Sequence, residues 1–120
     1  MSEPPRLRNV LHPVTDVSAA IAYYSDALEL SSKFIDGDRY AALDAGGVTL
    51  ALVGPDEDVT GGVAAASLKV SSLTETLDKI RQHGGVILNP AHDGPHETRA
   101  VVQDPWGNVV VIYETKKAPS

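Results

Sequence analysis

The chain contains no cysteine. That excludes a disulfide framework, a thiolate metal site and a cysteine nucleophile, and it suits a reducing compartment, here expected to be the cytoplasm. Aromatic residues are scarce too, with one Trp and one Phe, so a core must be built from Val, Ile, Leu and Ala. Basic residues are in deficit: 10 Lys and Arg against 16 Asp and Glu, a net charge of −6. With no basic cluster to offset it, this argues against non-specific nucleic-acid binding and would steer a cationic ligand towards the protein. No apolar run is long enough to span a bilayer, and residues 1–9 do not read as a signal peptide. The chain has no GxSxG, no Walker loop and no GxGxxG, so those nucleophile and phosphate motifs are excluded.

What is present is an ordinary globular composition, 42% hydrophobic and 22% charged over 120 residues, the size of one domain spanning 1–120. Leu7 to Thr15 reads as a strand. Asp16 is a good N-cap, and Val17, Ile21, Tyr24 and Leu28 form one apolar stripe on the helix that follows. Leu30 to Ile35 is a short strand, and Arg39–Leu43 with Val48–Val53 is a hairpin. Gly54 to Gly62 is a loop. The pattern then restarts. Val63–Val70 is a strand, Ser71 or Ser72 caps a helix striped by Leu73, Leu77 and Ile80, and Gly84-Gly85 stops it. Val86–Leu88 is a short strand, Asn89–Glu97 a loop, and Ala100–Gln103 one arm of a hairpin turning at Asp104-Pro105-Trp106-Gly107-Asn108. Val109–Tyr113, β-branched and aromatic, is its buried return strand. Lys116–Ser120 is a polar tail, and Met1–Pro5 a loose start.

This is an internal repeat. Val14, Asp16, Ile21 and Tyr24 map onto Val70, Ser72, Leu77 and Ile80 at an offset of 56, and Arg39, Asp44 and Gly47 onto Arg99, Asp104 and Gly107 at 60. Each half reads βαβββ, the first module over 6–54 and the second over 63–115. A single half is too short to bury an adequate core, so the halves should pair.

Val14-Thr15-Asp16-Val17, Tyr23-Tyr24, Leu28 with Leu30, and Asp104 to Asn108 together resemble the vicinal oxygen chelate superfamily of glyoxalases, bleomycin-binding resistance proteins and extradiol dioxygenases. The resemblance runs from about Leu7 to Glu114. It implies an α+β fold in which paired βαβββ modules form a curled mixed sheet around a cleft, often in a homodimer. In its metal-dependent members the ligand positions fall on Asn9, Ala51, Ala65 and Val111 of this chain. Ala and Val have no donor atom and a neutral amide is a poor ligand. A slip of one residue in register would offer only Val10, Ala64 or Ala66, and Val110 or Ile112. No metal site and no cofactor are therefore expected.

Strand alternation from those positions gives a cleft lining: Asn9, Leu11 and Pro13; Thr49, Ala51 and Val53; Ala65, Ser67 and Lys69; Val109, Val111 and Tyr113. Tyr40 and Trp106 add aromatic surface. Lys69 is the one charge in the lining, and it reads equally well as a snorkelling edge residue. His92 and His96 lie in the Asn89–Glu97 segment with Asp93 and Glu97, read as a polar lid with ligand contacts. His12 reads as a hydrogen-bonded core histidine facing the first helix, His83 as a helix-end cation, and Glu114 as a solvated charge at a strand end. The function expected is metal-independent binding of an apolar or aromatic small molecule, as in antibiotic sequestration. Two alternatives stay open: a metal-free lyase or isomerase using acid–base chemistry, and a module that only dimerises.

Overall fold

The computed structural model describes residues 3–116. Met1 and Ser2 of the expected loose start, and residues 117–120 of the expected polar tail, lie outside the described residues. The fold is α+β, with two βαβββ modules. The first contains β1 (Arg6–Pro13), α1 (Val17–Leu28), β2 (Ser31–Asp36), β3 (Tyr40–Asp44) and β4 (Thr49–Val53). The second contains β5 (Ala65–Lys69), α2 (Leu73–Gln82), β6 (Val86–Asp93), β7 (Glu97–Gln103) and β8 (Val109–Thr115). A short 3₁₀ turn, Pro55–Glu57, occupies the expected loop. The chain divides into two compact units, one of residues 8–65 and one of residues 66–116 with residues 3–7.

In the first unit the strands run in the order β2-β3-β4-β1, with β1 parallel to β4 and the other pairs antiparallel. Asp16 caps α1 by accepting from the Ala19 N–H at 3.0 Å, which satisfies one of the orphan donors of a helix start. Val17, Ala41, Leu43 and Leu52 form the buried cluster under α1, with Ile21, Tyr24 and Leu50 packed on it. Burial of each large aliphatic side chain contributes roughly 1.5–3 kcal/mol. Leu28, assigned to the same stripe, is 59% exposed, because the helix ends there and Glu29 turns the chain away in the left-handed conformation at φ 57°.

The second unit repeats this plan. Its strands run β5-β8-β7-β6, with β5 parallel to β8. Ser72 is the cap, accepting from the Glu75 N–H at 3.3 Å. Leu73, Leu77, Val70, Ala100, Val102 and Ile112 form the core under α2. Gly85 follows the helix, its N–H donating to the Ile80 carbonyl at 2.8 Å. A Cβ there would lie 2.5 Å from Ile80 Cγ2, so no larger residue fits without movement. The repeat extends to single bonds: Val14 N–H donates to the Val53 carbonyl, and Val70 N–H to the Tyr113 carbonyl, each at 2.8 Å.

The Asn89–Glu97 loop is a correction. β6 continues through it to Asp93, and only Gly94, Pro95 and His96 separate β6 from β7. Asn-Pro-Ala-His-Asp has poor strand propensity, which is why composition reads it as a loop. Pairing with β7 overrides that propensity, and the register shifts at Ile87/Asn89 and Asn89/His92 accommodate the run around Pro90. Among the described residues β6 pairs on one side only, with β7, and a strand of that kind tolerates proline and bulges.

Candidate functional site

In both units the strands present one face to the helix and leave the other free of it. Helix contacts by Leu43 and Leu52 in the first unit, and by Val102 and Ile112 in the second, fix which is which. Alternation then sends their neighbours to the helix-free face. In the first unit the register aligns Asn9 with Thr49, aligns Leu11, Ala51 and Ala42 in one row, and aligns Pro13, Val53 and Tyr40 in the next. Ala51 is fully buried. Tyr40 packs its ring 6.2 Å from that of Phe34, itself 58% exposed.

In the second unit Ser67, Val111, Val101 and Asn89 form one row of the helix-free face. Ser67 and Val111 are buried, and so is Ala65, the last residue of the first unit and the first of β5. These three therefore offer little accessible wall. One row further along, the register aligns Lys69, Tyr113, Arg99 and His92. Lys69 and Arg99 are half-buried, Tyr113 is buried and His92 is exposed. Arg99 was not among the expected site residues. Its place in the repeat, matching Arg39, was legible, but the partner that brings it to the site is His92 on β6, and that strand was hidden in an apparent loop.

At the tip of this hairpin a cavity of about 170 Å³ is lined by His92, Gly94, Pro95, His96, Glu97 and Arg99. The two histidines are thus brought together with a guanidinium and a carboxylate. Asp93 turns to the other face, where Thr98 Oγ1 donates to it at 2.7 Å and Lys116 Nζ stands 4.0 Å away. The Thr98 hydroxyl foremost, then Lys116, hold its carboxyl below the ordinary value, with a smaller contribution from His92. Among the described residues no group of three or more His, Cys, Asp or Glu is arranged to hold a metal.

Trp106 does not join these residues. It lies at the β7–β8 turn, 83% exposed, beyond the Gln103–Val109 pair. That pair is four residues from Arg99 and Tyr113, about 13 Å along the strands. Glu114 is a second correction. It is half-buried, and its Oε1 accepts from the Leu73 N–H at 3.1 Å. It is therefore an acceptor at the start of α2, not a solvated charge. His12 Nδ1 lies 3.3 Å from the Tyr24 hydroxyl on α1, so it does face the first helix.

A profile of the Glyoxalase/Bleomycin resistance protein/Dioxygenase superfamily matches residues 6–112. The chain belongs to that superfamily. A protein of Mycolicibacterium smegmatis (strain ATCC 700084 / mc(2)155), described as uncharacterized, is 35% identical over 111 residues, 92% of this chain and 95% of its own. Among solved structures, a hypothetical protein from Bacillus halodurans C-125 superposes with a TM-score of 0.78 at 17% identity, over 98% of this chain and 99% of that one. Methylmalonyl-CoA epimerase from Mycobacterium tuberculosis does so with a TM-score of 0.68 at 21% identity, over 94% and 88%. These structures share the fold. The residues that the resemblance puts at the superfamily's metal-ligand positions are Asn9, Ala51, Ala65 and Val111. Three of these have no side-chain donor.

Proposed function

We propose that this superfamily member is a metal-independent small-molecule-binding protein that takes an apolar or aromatic ligand against the helix-free faces of its strands. The observation that carries the reading is the chemistry of those faces. Leu11, Ala42 and Ala51 align in the first unit, and Val101 and Val111 beside Ser67 in the second. Apart from the half-buried Leu11 these residues are already buried, so the apolar area a ligand would cover, worth about 25 cal/mol per Å², comes from half-buried neighbours such as Tyr40 in the first unit or Val109 in the second. In the second unit a few polar groups at the row ends would orient the ligand: Lys69, Tyr113, His92 and His96. Sequestration, as the resistance proteins in the family's name imply, needs no more than this. The cysteine-free chain fits action in the cytoplasm, and none of the described helices is long and apolar enough to cross a membrane.

The test is a native mass spectrum of untagged protein, followed by a thermal-shift screen of planar aromatic compounds with and without EDTA. Ligand-dependent stabilisation insensitive to EDTA is expected. Stoichiometric Zn, Mn, Ni or Fe in the spectrum, with binding lost in EDTA, sinks the reading. A second reading, acid–base catalysis, has one observation behind it: His92, His96 and Glu97 share a cavity. Conversion of the bound compound to a product, abolished in His92→Asn or His96→Asn while binding persists, would replace sequestration by turnover.

A further inference from the structure

The row Lys69–Tyr113–Arg99–His92 carries chemistry that an apolar ligand does not use. It crosses four adjacent strands at one level on the side away from α2. At about 4.8 Å per strand it spans roughly 14 Å. The row behind it, Ser67, Val111, Val101 and Asn89, has no ionisable group. Two basic side chains, Lys69 and Arg99, therefore stand on either side of Tyr113, and neither makes an ion pair among the described residues. Lys69 and Arg99 are two strand spacings apart, about 10 Å, with β8 between them, so their long side chains can converge on one anion over Tyr113.

The neighbouring carboxylates do not supply that anion. Asp93 is held on the opposite face by Thr98 and Lys116. Glu97 lines the cavity with Arg99 but forms no ion pair with it. The cavity beside Arg99, about 170 Å³, is smaller than the roughly 300–1,000 Å³ of a drug-sized pocket. It has room for one polar group. A guanidinium fork grips a planar or tetrahedral oxyanion through two parallel N–H bonds, and an ammonium adds a point charge.

We infer that Arg99, Lys69 and His92 form the seat of an oxyanion, a carboxylate or a phosphate, carried by the ligand. The inference deepens the ligand-binding reading and depends on it only for the apolar remainder of the molecule. It reverses the expectation from net charge. At −6 the protein repels anions at long range, so selection here comes from local contact.

Four probes with one ring system separate charge from shape: 2-naphthoate, 2-naphthyl phosphate, 2-naphthylmethylammonium and 2-naphthalenemethanol, titrated calorimetrically into the full chain. At least one of the two anions should bind about tenfold or more tightly than the alcohol, and the cation should bind no better than the alcohol. Which anion wins distinguishes carboxylate from phosphate. Arg99→Gln and Lys69→Gln should each erase the gain of anion over alcohol. Thermal melts establish that both variants are folded, and if Arg99→Gln is not, Lys69→Gln carries the test. Inorganic phosphate is titrated separately, reading the Arg99 Nε–H resonance. If the alcohol binds and neither anion binds better, the oxyanion seat is wrong and the binding reading stands. If no naphthyl probe binds but phosphate shifts Arg99, and Lys69→Gln abolishes the shift, the seat is right and the apolar reading is wrong. If nothing binds, both are wrong.

Discussion

Asp104 and Asn108 close the β7–β8 turn on each other. The Asp104 carboxylate accepts from the backbone N–H of Asn108 at 2.8 Å and from its Nδ2 at 2.9 Å, while Asp104 N–H donates to the Asn108 carbonyl at 2.9 Å. Trp106 N–H adds a bond to the same carboxylate at 3.0 Å. Gly107, between them, sits at φ 89°, a conformation open to glycine at little cost. The most recognisable motif in the chain is thus a turn built from its own side chains. Its aspartate is not part of the cavity that gathers His92, His96 and Arg99.

These bonds favour the ionised carboxyl and hold Asp104 below the ordinary carboxylate value, Asn108 being the first cause. A depressed folded pKa contributes stability that is present above the unfolded pKa, about 3.9, and is lost as pH falls through the folded value. Asp104→Ala should therefore melt below the parent at pH 7. The gap should hold down to about pH 4 and close as the pH is lowered further. Melting curves between pH 7 and pH 2 check this, and a gap that widens in acid would contradict it.

Glu114 on β8 should matter to α2. Its Oε1 serves the Leu73 N–H at the helix start, where an acceptor and a negative charge are both favourable. Glu114→Ala should cost about 1 kcal/mol in urea unfolding. Glu114→Gln, which keeps an acceptor, should recover part of that loss.

His12 and Tyr24 tie β1 to α1. His12→Ala should lower stability by about 1–3 kcal/mol through lost packing and an orphaned hydroxyl. Tyr24→Phe, which removes only the hydroxyl, should cost less. Neither should change ligand affinity, since both residues lie on the helix side. Titration of each variant with the ligand identified by screening is the measurement.

Ala65 is 4% exposed. Ala65→Trp must displace its surroundings, so a destabilisation of about 1–3 kcal/mol is expected along with loss of ligand binding. Ala65→Ser, nearly the same size, should leave both intact. Full stability and full binding in the tryptophan variant would place the ligand elsewhere.

A symmetric homodimer is expected. Among the described residues β2 pairs only with β3 and β6 only with β7, β2 is exposed along its length and β6 everywhere but Ile87, and they carry Phe34, Ile35, Val86 and Leu88 at the surface. Open strand edges of this kind invite a second chain. Light scattering at micromolar concentration should give twice the chain mass. Phe34→Lys with Val86→Lys should shift it towards the monomer.

The sequence by itself determined the parts whose signals are local. Asp16 and Ser72 announce helices because a cap and an apolar stripe are written within a turn or two. The Val14–Val70 and Asp44–Asp104 correspondences announce the repeat, and the motifs Val14-Thr15-Asp16-Val17, Tyr23-Tyr24 and Asp104 to Asn108 carry the resemblance to the superfamily. Period-two alternation was enough to send His12 to the helix and Asn9 away from it. Only the tertiary structure decided what β6 is, since a strand with Pro90 in it exists through its pairing with β7 and not through its own propensities. That pairing brings His92 level with Arg99, and the pairings of β8 bring Tyr113 and Lys69 to the same row. Glu114 likewise acquires its role from Leu73, far away in sequence. Register between strands is set by contacts distant in the chain, so the composition of a row crossing four strands is a property of the folded molecule.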